Sequence, residues 1–259
     1  MGTPSASDTA QTVTIGNPAL KPQMAKQVEF KLEYYFKNNG LFSATVFRKH
    51  ITDVLSGNNF TNGNVGQGLD NGFDGLYGGY SIISPRNLGE ETMTGLELDY
   101  NQRLTFLPGA WKGLAVRGNY TIIAASAEFT YSATQTAPLH RTTMQIPGTS
   151  PRTGNFGLTY TRSGFGASFD VNYTGKYPVE SVATLGINTP QFVQLISYRK
   201  DLMTMNLGFT YRVHPKATLY FNVNNLAAKG YDRFLFSENR PREHIVTPRS
   251  LTLGVTGQF

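Results

Sequence analysis

From Val28 to Phe36 apolar and polar residues alternate: Val28, Phe30, Leu32, Tyr34 and Phe36 fall on one face, Gln27, Glu29, Lys31, Glu33, Tyr35 and Lys37 on the other. Period two is the signature of a strand with two different environments. After Asn38-Asn39-Gly40 the next run sets Phe42, Ala44 and Val46 against Ser43, Thr45 and, less neatly, Phe47, which predicts a hairpin. A third run places Leu96, Leu98, Tyr100, Leu104 and Phe106 opposite Glu97, Asp99, Asn101, Arg103 and Thr105; a fourth places Leu114, Val116, Tyr120 and Ile122 opposite Arg117, Asn119 and Thr121. The fifth has Phe156, Leu158 and Tyr160 against Asn155, Thr159 and Thr161, and the sixth Phe165, Phe169, Val171, Tyr173 and Tyr177 against Ser168, Asp170, Asn172, Thr174 and Lys176. Met203 to Val213, Leu219 to Val223 and Leu251 to Phe259 alternate in the same way, giving nine predicted strands.

The links between them alternate too. Asn38-Asn39-Gly40, the segment around Pro108-Gly109, Ser163-Gly164 and His214-Pro215-Lys216 are tight turns. Residues 55–92, 129–150, 179–199 and 227–247 are connections of about twenty residues or more, well above hairpin length. Short turns at one end, long loops at the other and strands of about nine to fourteen residues describe an all-β, antiparallel up-and-down transmembrane barrel, with apolar residues facing lipid and polar residues facing a wet lumen. A soluble β-sandwich is the alternative, but its strands usually run five or six residues and follow no short/long rule. Aromatics near strand ends, Tyr34, Phe36, Phe106, Tyr177 and Tyr211, suit an interfacial girdle.

Composition agrees with this reading. The 259 residues include 17 Phe, 14 Tyr and 1 Trp, more aromatics than the 23 Lys and Arg, which excludes intrinsic disorder. Zero Cys removes disulfides, thiolate metal sites and cysteine nucleophiles together. The formal charge of +6 is scattered rather than gathered in runs, so no nucleic-acid partner is expected. No stretch reaches the roughly 18 apolar residues of a transmembrane helix, and a mean hydropathy of −0.28 is compatible with a barrel.

Several segments, in this order, resemble the C-terminal barrel of TonB-dependent outer-membrane receptors: NPALKP (17–22), LEYYFKNNGLFSATVFRKHI (32–51), TGLELDYNQRLTFLPG (94–109), SPRTGNFGLTY (150–160), GFGASFDVNYTGKY (164–177), YFNVNNL (220–226) and SLTLGVTGQF (250–259). The resemblance implies a 22-stranded type of barrel with a plugged lumen, of which this chain supplies about nine C-terminal strands. It implies a non-enzymatic receptor in the Gram-negative outer membrane that takes up a ferric siderophore, cobalamin or an oligosaccharide. Its partners would be outer-membrane lipid and lipopolysaccharide, the barrel-assembly machinery, the inner-membrane TonB complex acting through a plug domain, and a small-molecule or oligosaccharide ligand. Ala19, Gln23 and a lipid-facing Arg48 depart from the usual pattern. Residues 1–24 are expected to be the loop end of a preceding strand and 25–259 the partial barrel. Nine is odd, and an open sheet would leave two edges in lipid, so further strands are expected.

Leu251, Leu253, Val255 and Phe259 resemble the terminal signal read by the assembly machinery, with Gly257 weakening the match. Ligand contacts are expected from loop aromatics and arginines: Tyr77, Tyr80 and Arg86 in the first long loop, Tyr231, Arg233 and Arg240 in the last. They can equally serve loop packing or lipopolysaccharide binding. His50, His140, His214 and His244 share no metal or catalytic spacing. Asp70-Asn71-Gly72-Phe73-Asp74-Gly75 offers Asp70 and Asp74 as oxygen ligands for calcium, yet Ser81 replaces the closing Glu. The glycines at 63, 66 and 68 do not link a strand to a helix, so no phosphate loop is expected, and no cofactor is implied. A passive porin and a soluble β-rich binding module are the rival functional classes.

Overall fold

Tight turns set the frame. Asn39 (φ 55°) and the Ser163-Gly164 pair (φ 48° and 84°) take left-handed conformations that reverse the chain between antiparallel strands. A single 3-10 turn, Gly109–Gly113, serves the same purpose where Leu104 N–H bonds Leu114 C=O at 2.8 Å. The computed structural model describes residues 5–37, 39–55, 61–85, 87, 89–131, 140–179 and 196–257. In chain order the strands are β1 (Ser5–Ser7), β2 (Thr12–Thr14), β3 (Met24–Phe36), β4 (Gly40–Thr52), β5 (Thr61–Asn64), β6 (Ser81–Ile83), β7 (Gly89–Arg103), β8 (Leu114–Tyr131), β9 (His140–Met144), β10 (Arg152–Arg162), β11 (Phe165–Thr174), β12 (Tyr177–Pro178), β13 (Ser197–Arg199), β14 (Leu202–His214), β15 (Ala217–Asn224), β16 (Tyr231–Leu235), β17 (Pro241–Ile245) and β18 (Ser250–Gly257).

The large sheet runs β3-β4-β7-β8-β10-β11-β14-β15-β18, each strand antiparallel to its sequence neighbour in that path and open at β3 and β18; β9 adds to the loop-side end of β8. Its nine path strands are the nine that alternation predicts. Register places apolar residues in continuous rows, such as Leu32–Ala44–Leu98–Tyr120–Gly154–Tyr173–Met203. One residue along, the other face reads Glu33–Ser43–Asp99–Asn119–Asn155–Asn172–Thr204. The apolar face is exposed along its length: Phe30, Leu32, Leu251, Leu253 and Val255 all stand open. Such a band suits a sheet solvated by lipid.

Three sequence expectations change. Strand lengths run from 8 to 18 residues in this path, wider than nine to fourteen. Leu104 and Phe106 lie beyond β7 in the turn, because the chain closes at Leu104 on Leu114. Tyr177 does not extend β11: Gly175 N–H bonds Arg152 C=O, and Tyr177 begins a strand of another sheet. Phe47, the untidy residue of its run, sits on the polar face because its ring covers Gly95, where an added Cβ would meet Phe47 Cζ at 2.5 Å.

The long connections fold into two further sheets. One, β1-β2-β6-β5, joins the segment before β3 to the first connection, with β2 and β6 parallel; the other, β12-β13-β16-β17, joins the third connection to the fourth. Buried apolar side chains collect at this end: Val13, Val65, Ile196 and Phe234 in or beside the small sheets, and Ala127 with Ile146 beneath the β8–β9 hairpin. Cores at the loop end hold the loops, while the wall is held mainly by its hydrogen-bond ladders.

Candidate functional site

The first loop cluster is built on tyrosines. Tyr77 adopts φ 57° and carries its ring into edge contact with Phe73 (5.9 Å) and tilted contact with Tyr80 (5.6 Å). Tyr80 donates its hydroxyl to the Asp8 carboxylate at 3.1 Å, and that bond raises its ionisation above the ordinary tyrosine value. Asn71 organises the same loop: its amide N–H groups reach Gly66 and Leu76 carbonyls, and its oxygen accepts from Phe73 and Gly75 N–H. With Asn71 spent on backbone, the Asp70–Gly75 string works as a turn, and Asp70 and Asp74 stand exposed. Arg86 lies outside the described residues.

The second cluster is more highly charged. Across β12, β13, β16 and β17 the register aligns Tyr177, Arg199, Arg233 and Glu243 in one row. Two guanidinium groups facing each other would repel, yet both settle on the Tyr231 ring, Arg199 at 4.5 Å from its centroid and Arg233 at 5.6 Å. Arg199 also donates to the Tyr177 hydroxyl at 3.2 Å. Arg233 Nε approaches Glu243 at 3.3 Å, a charge contact out of line for a hydrogen bond, and the Nε atoms of both arginines are buried without one. Two cations against one carboxylate leave this row electropositive, a surface that can grip an anionic or oxygen-rich ligand.

Beside it a pocket of about 200 Å³ is lined by Lys200, Asp232, Phe234, Glu238 and His244 among others. Lys176 and Lys200 share Glu238 at 3.7 and 3.3 Å, and Asp232 pairs with His244. Tyr198 stacks on Phe234 at 5.7 Å, and burial raises its ionisation. Arg240 sits exposed on the β16–β17 turn.

Five of the six sequence candidates fall among the described residues, Tyr77 and Tyr80 in the first loop cluster and Tyr231, Arg233 and Arg240 at the second small sheet: Tyr77 touches Tyr80, and Tyr231 touches Arg233. Sequence reasoning missed Arg199 and Tyr177 as part of the second group. The string Tyr198-Arg199-Lys200, aromatic and basic beside a long loop, was the available signal. Leu251, Leu253 and Val255 share the apolar face of β18; Phe259 lies outside the described residues. On the polar face, Arg117 pairs with Asp170 at 2.6 Å and Asn155 donates to Asn119 at 2.9 Å, so the inner wall is hydrogen-bonded rather than greasy.

A family model described as TonB dependent receptor-like, beta-barrel matches residues 2–226. No curated protein sequence matches the chain. A ferric enterobactin receptor (PfeA) variant from Pseudomonas aeruginosa superposes with a TM-score of 0.63 at 18% identity, over 96% of this chain and 33% of that one. The siderophore receptor PiuA from Acinetobacter baumannii gives 0.60 at 17% identity, over 90% and 28%, and the ferric yersiniabactin uptake receptor FyuA from Yersinia pestis 0.54 at 16%, over 91% and 30%. The chain thus spans about a third of the length of these solved receptors. Their likeness extends to the fold: an antiparallel wall with an apolar outer face, short turns at one end and folded loops at the other. By its sequence match and its architecture, this chain belongs to the TonB-dependent receptor β-barrel family.

Proposed function

We propose that this chain forms part of the barrel wall and outer loops of a Gram-negative outer-membrane receptor for active uptake of a scarce nutrient, a ferric siderophore before cobalamin or an oligosaccharide. The observation that carries the reading is the wall itself: nine strands with one apolar and one polar face, and at one end two loop clusters, one built on Tyr77 and Tyr80 and the other carrying Tyr231, Arg199 and Arg233. The siderophore choice draws on the names of the similar receptors and on the electropositive Arg199–Tyr231–Arg233 group, since ferric siderophores are commonly anionic and rich in oxygen. Ligand contacts would fall on Tyr77, Tyr80, Arg86, Tyr231, Arg233 and Arg240, with Arg199 added. Members of the family are receptors and transporters rather than enzymes. The apolar column Leu251, Leu253, Val255 and Phe259 would serve as the assembly signal.

Deleting the whole gene in its own organism and supplying ferric siderophores, cobalamin and oligosaccharides one at a time tests this. Uptake of one ferric siderophore should vanish on deletion and on collapse of the inner-membrane proton gradient, and its affinity should fall about tenfold with the R199A/R233A pair. Uptake that survives the collapsed gradient would point instead to a passive pore, and rescue confined to cobalamin or an oligosaccharide would overturn the cargo.

A further inference from the structure

The polar face of the wall changes character near the loops. Across the middle of β4, β7, β8 and β10 it reads Thr45–Glu97–Thr121–Thr153. The next row toward the loops, on the same face, reads Phe47–Gly95–Ile123, and the two beyond it set Met93 beside Ala125 and Ala127 beside Met144. Ile146 packs against Ala127, with Met93, Ala125 and Met144 around them. The change is local, since β10 and β11 end on this face with Thr153 opposite Thr174. Phe47, Met93, Ile123, Ala125 and Met144 are only half-buried, so an apolar strip stands open on a face that is otherwise hydrogen-bonded.

The strip is continuous with the cationic row of the second loop cluster. Ile146 lies two residues before Gly148, whose N–H bonds Pro178 C=O at 2.8 Å, and Pro178 adjoins Tyr177, whose hydroxyl accepts from Arg199. Two residue steps, one ladder bond and one further step put Tyr177 within about 17 Å of Ile146 along the backbone. Lys49 and Glu91 also lie on this face, diagonal to each other across β4 and β7, and their opposite charges leave the strip neutral. One end of the path is therefore positive and the other apolar.

We infer that the cargo is an amphiphile: a ferric chelate whose anionic, oxygen-rich head sits at Arg199 and Arg233 and whose acyl arm lies on Phe47, Met93, Ile123 and Met144. The two ends of such a ligand sort themselves, the head to the guanidinium groups and the hydrocarbon to the strip. Methionine side chains bend to fit an arm of no fixed shape, which suits a flexible chain better than a rigid ring. The inference names the class of the cargo and rests on the siderophore reading above.

The test is equilibrium dialysis of the full-length receptor in phosphatidylcholine nanodiscs against pairs of radioactive ferric chelates, catecholate, hydroxamate and citrate-type, each with and without an octanoyl arm. Empty nanodiscs measure, for subtraction, what the arm gains from lipid alone. For the head that binds, the arm should raise affinity on the order of tenfold or more. M93Q/I123T, which extends the polar pattern of Thr45 and Thr121, should remove most of that gain and leave the armless chelate unchanged, whereas R199A/R233A should weaken both members alike. Should M93Q/I123T fail to fold, methionine oxidation of the wild type decides: Met93 and Met144 should oxidise in the free receptor and be protected by the octanoyl chelate but not by its armless partner. Equal affinity for both members of a pair, a gain that survives M93Q/I123T, or methionines already protected without ligand would each overturn the inference and leave the siderophore reading standing. Binding of no chelate of any head, with uptake confined to cobalamin or an oligosaccharide, would remove that reading and this inference with it.

Discussion

Asn87 ties the segment before β3 to the first long connection with one side chain. Its oxygen accepts from Lys21 N–H at 2.9 Å, and its amide donates to Lys21 C=O at 3.0 Å and Asp53 C=O at 2.7 Å. Asn17 adds a second tie, donating to Pro85 C=O at 3.0 Å. Replacing Asn87 with Ala leaves three backbone groups to water or to nothing, at a cost of about 1–3 kcal/mol. Hydrogen exchange on the intact receptor should then show residues 12–23 losing protection while β7 and β8 keep theirs; unchanged protection at Val13 would mean that β2–β6 pairing holds the segment without Asn87. None of this was legible from sequence. Asn87 is one of many loop asparagines, and its partners lie 34 and 66 residues away. Tyr77 and Tyr80 were legible as residue types suited to a site, but the Asp8 that holds Tyr80 was not, for the same reason of distance.

At the level of elements, a strand in this wall is defined by two environments, and the sequence states both. Leu98 and Glu97 are neighbours in β7, one in the apolar row with Ala44 and Tyr120, the other in the polar row with Thr45 and Thr121. A charge placed at the first faces hydrocarbon, and at the second water. Leu98→Arg should therefore cost about 2–4 kcal/mol in a reversible bilayer-folding measurement, whereas Glu97→Arg should change stability by under about 1 kcal/mol. Equal costs would mean the two faces had been exchanged or that neither meets lipid. This contrast also explains why all nine wall strands could be read in advance while the loop strands could not. Ser5–Ser7, Thr12–Thr14 and Ser81–Ile83 are three residues each, too short for a period to show, and β2 pairs in parallel with a strand nearly seventy residues on. Where the wall stopped short of its predicted limits, as at Tyr177 and Phe106, alternation continued by chance after the ladder had ended.

For the whole molecule, parity sets the terms of closure. In an antiparallel path of nine strands the first and last run in the same direction, so β3 could meet β18 only in parallel, a pairing slightly less stable per residue than the antiparallel ladders between them. Each of these strands has one laddered side and one open side, and the open backbone groups cannot be left in hydrocarbon. Their lengths also differ, 13 residues for β3 against 8 for β18, so closure on each other would leave several β3 groups unsatisfied. A closed ring therefore needs strands beyond this path, whether from a longer chain or from further copies. If the 259 residues are produced alone and refolded in detergent, amide exchange should be slow in β7, β8 and β10 and fast along one side of β3 and of β18, and cross-linkers should trap oligomers joined at those edges. In the intact receptor the same edge amides should exchange as slowly as the rest of the wall. A monodisperse species from the chain alone, with β3 and β18 as protected as β8, would show that the two strands do close in parallel, and the inference of further strands would fall.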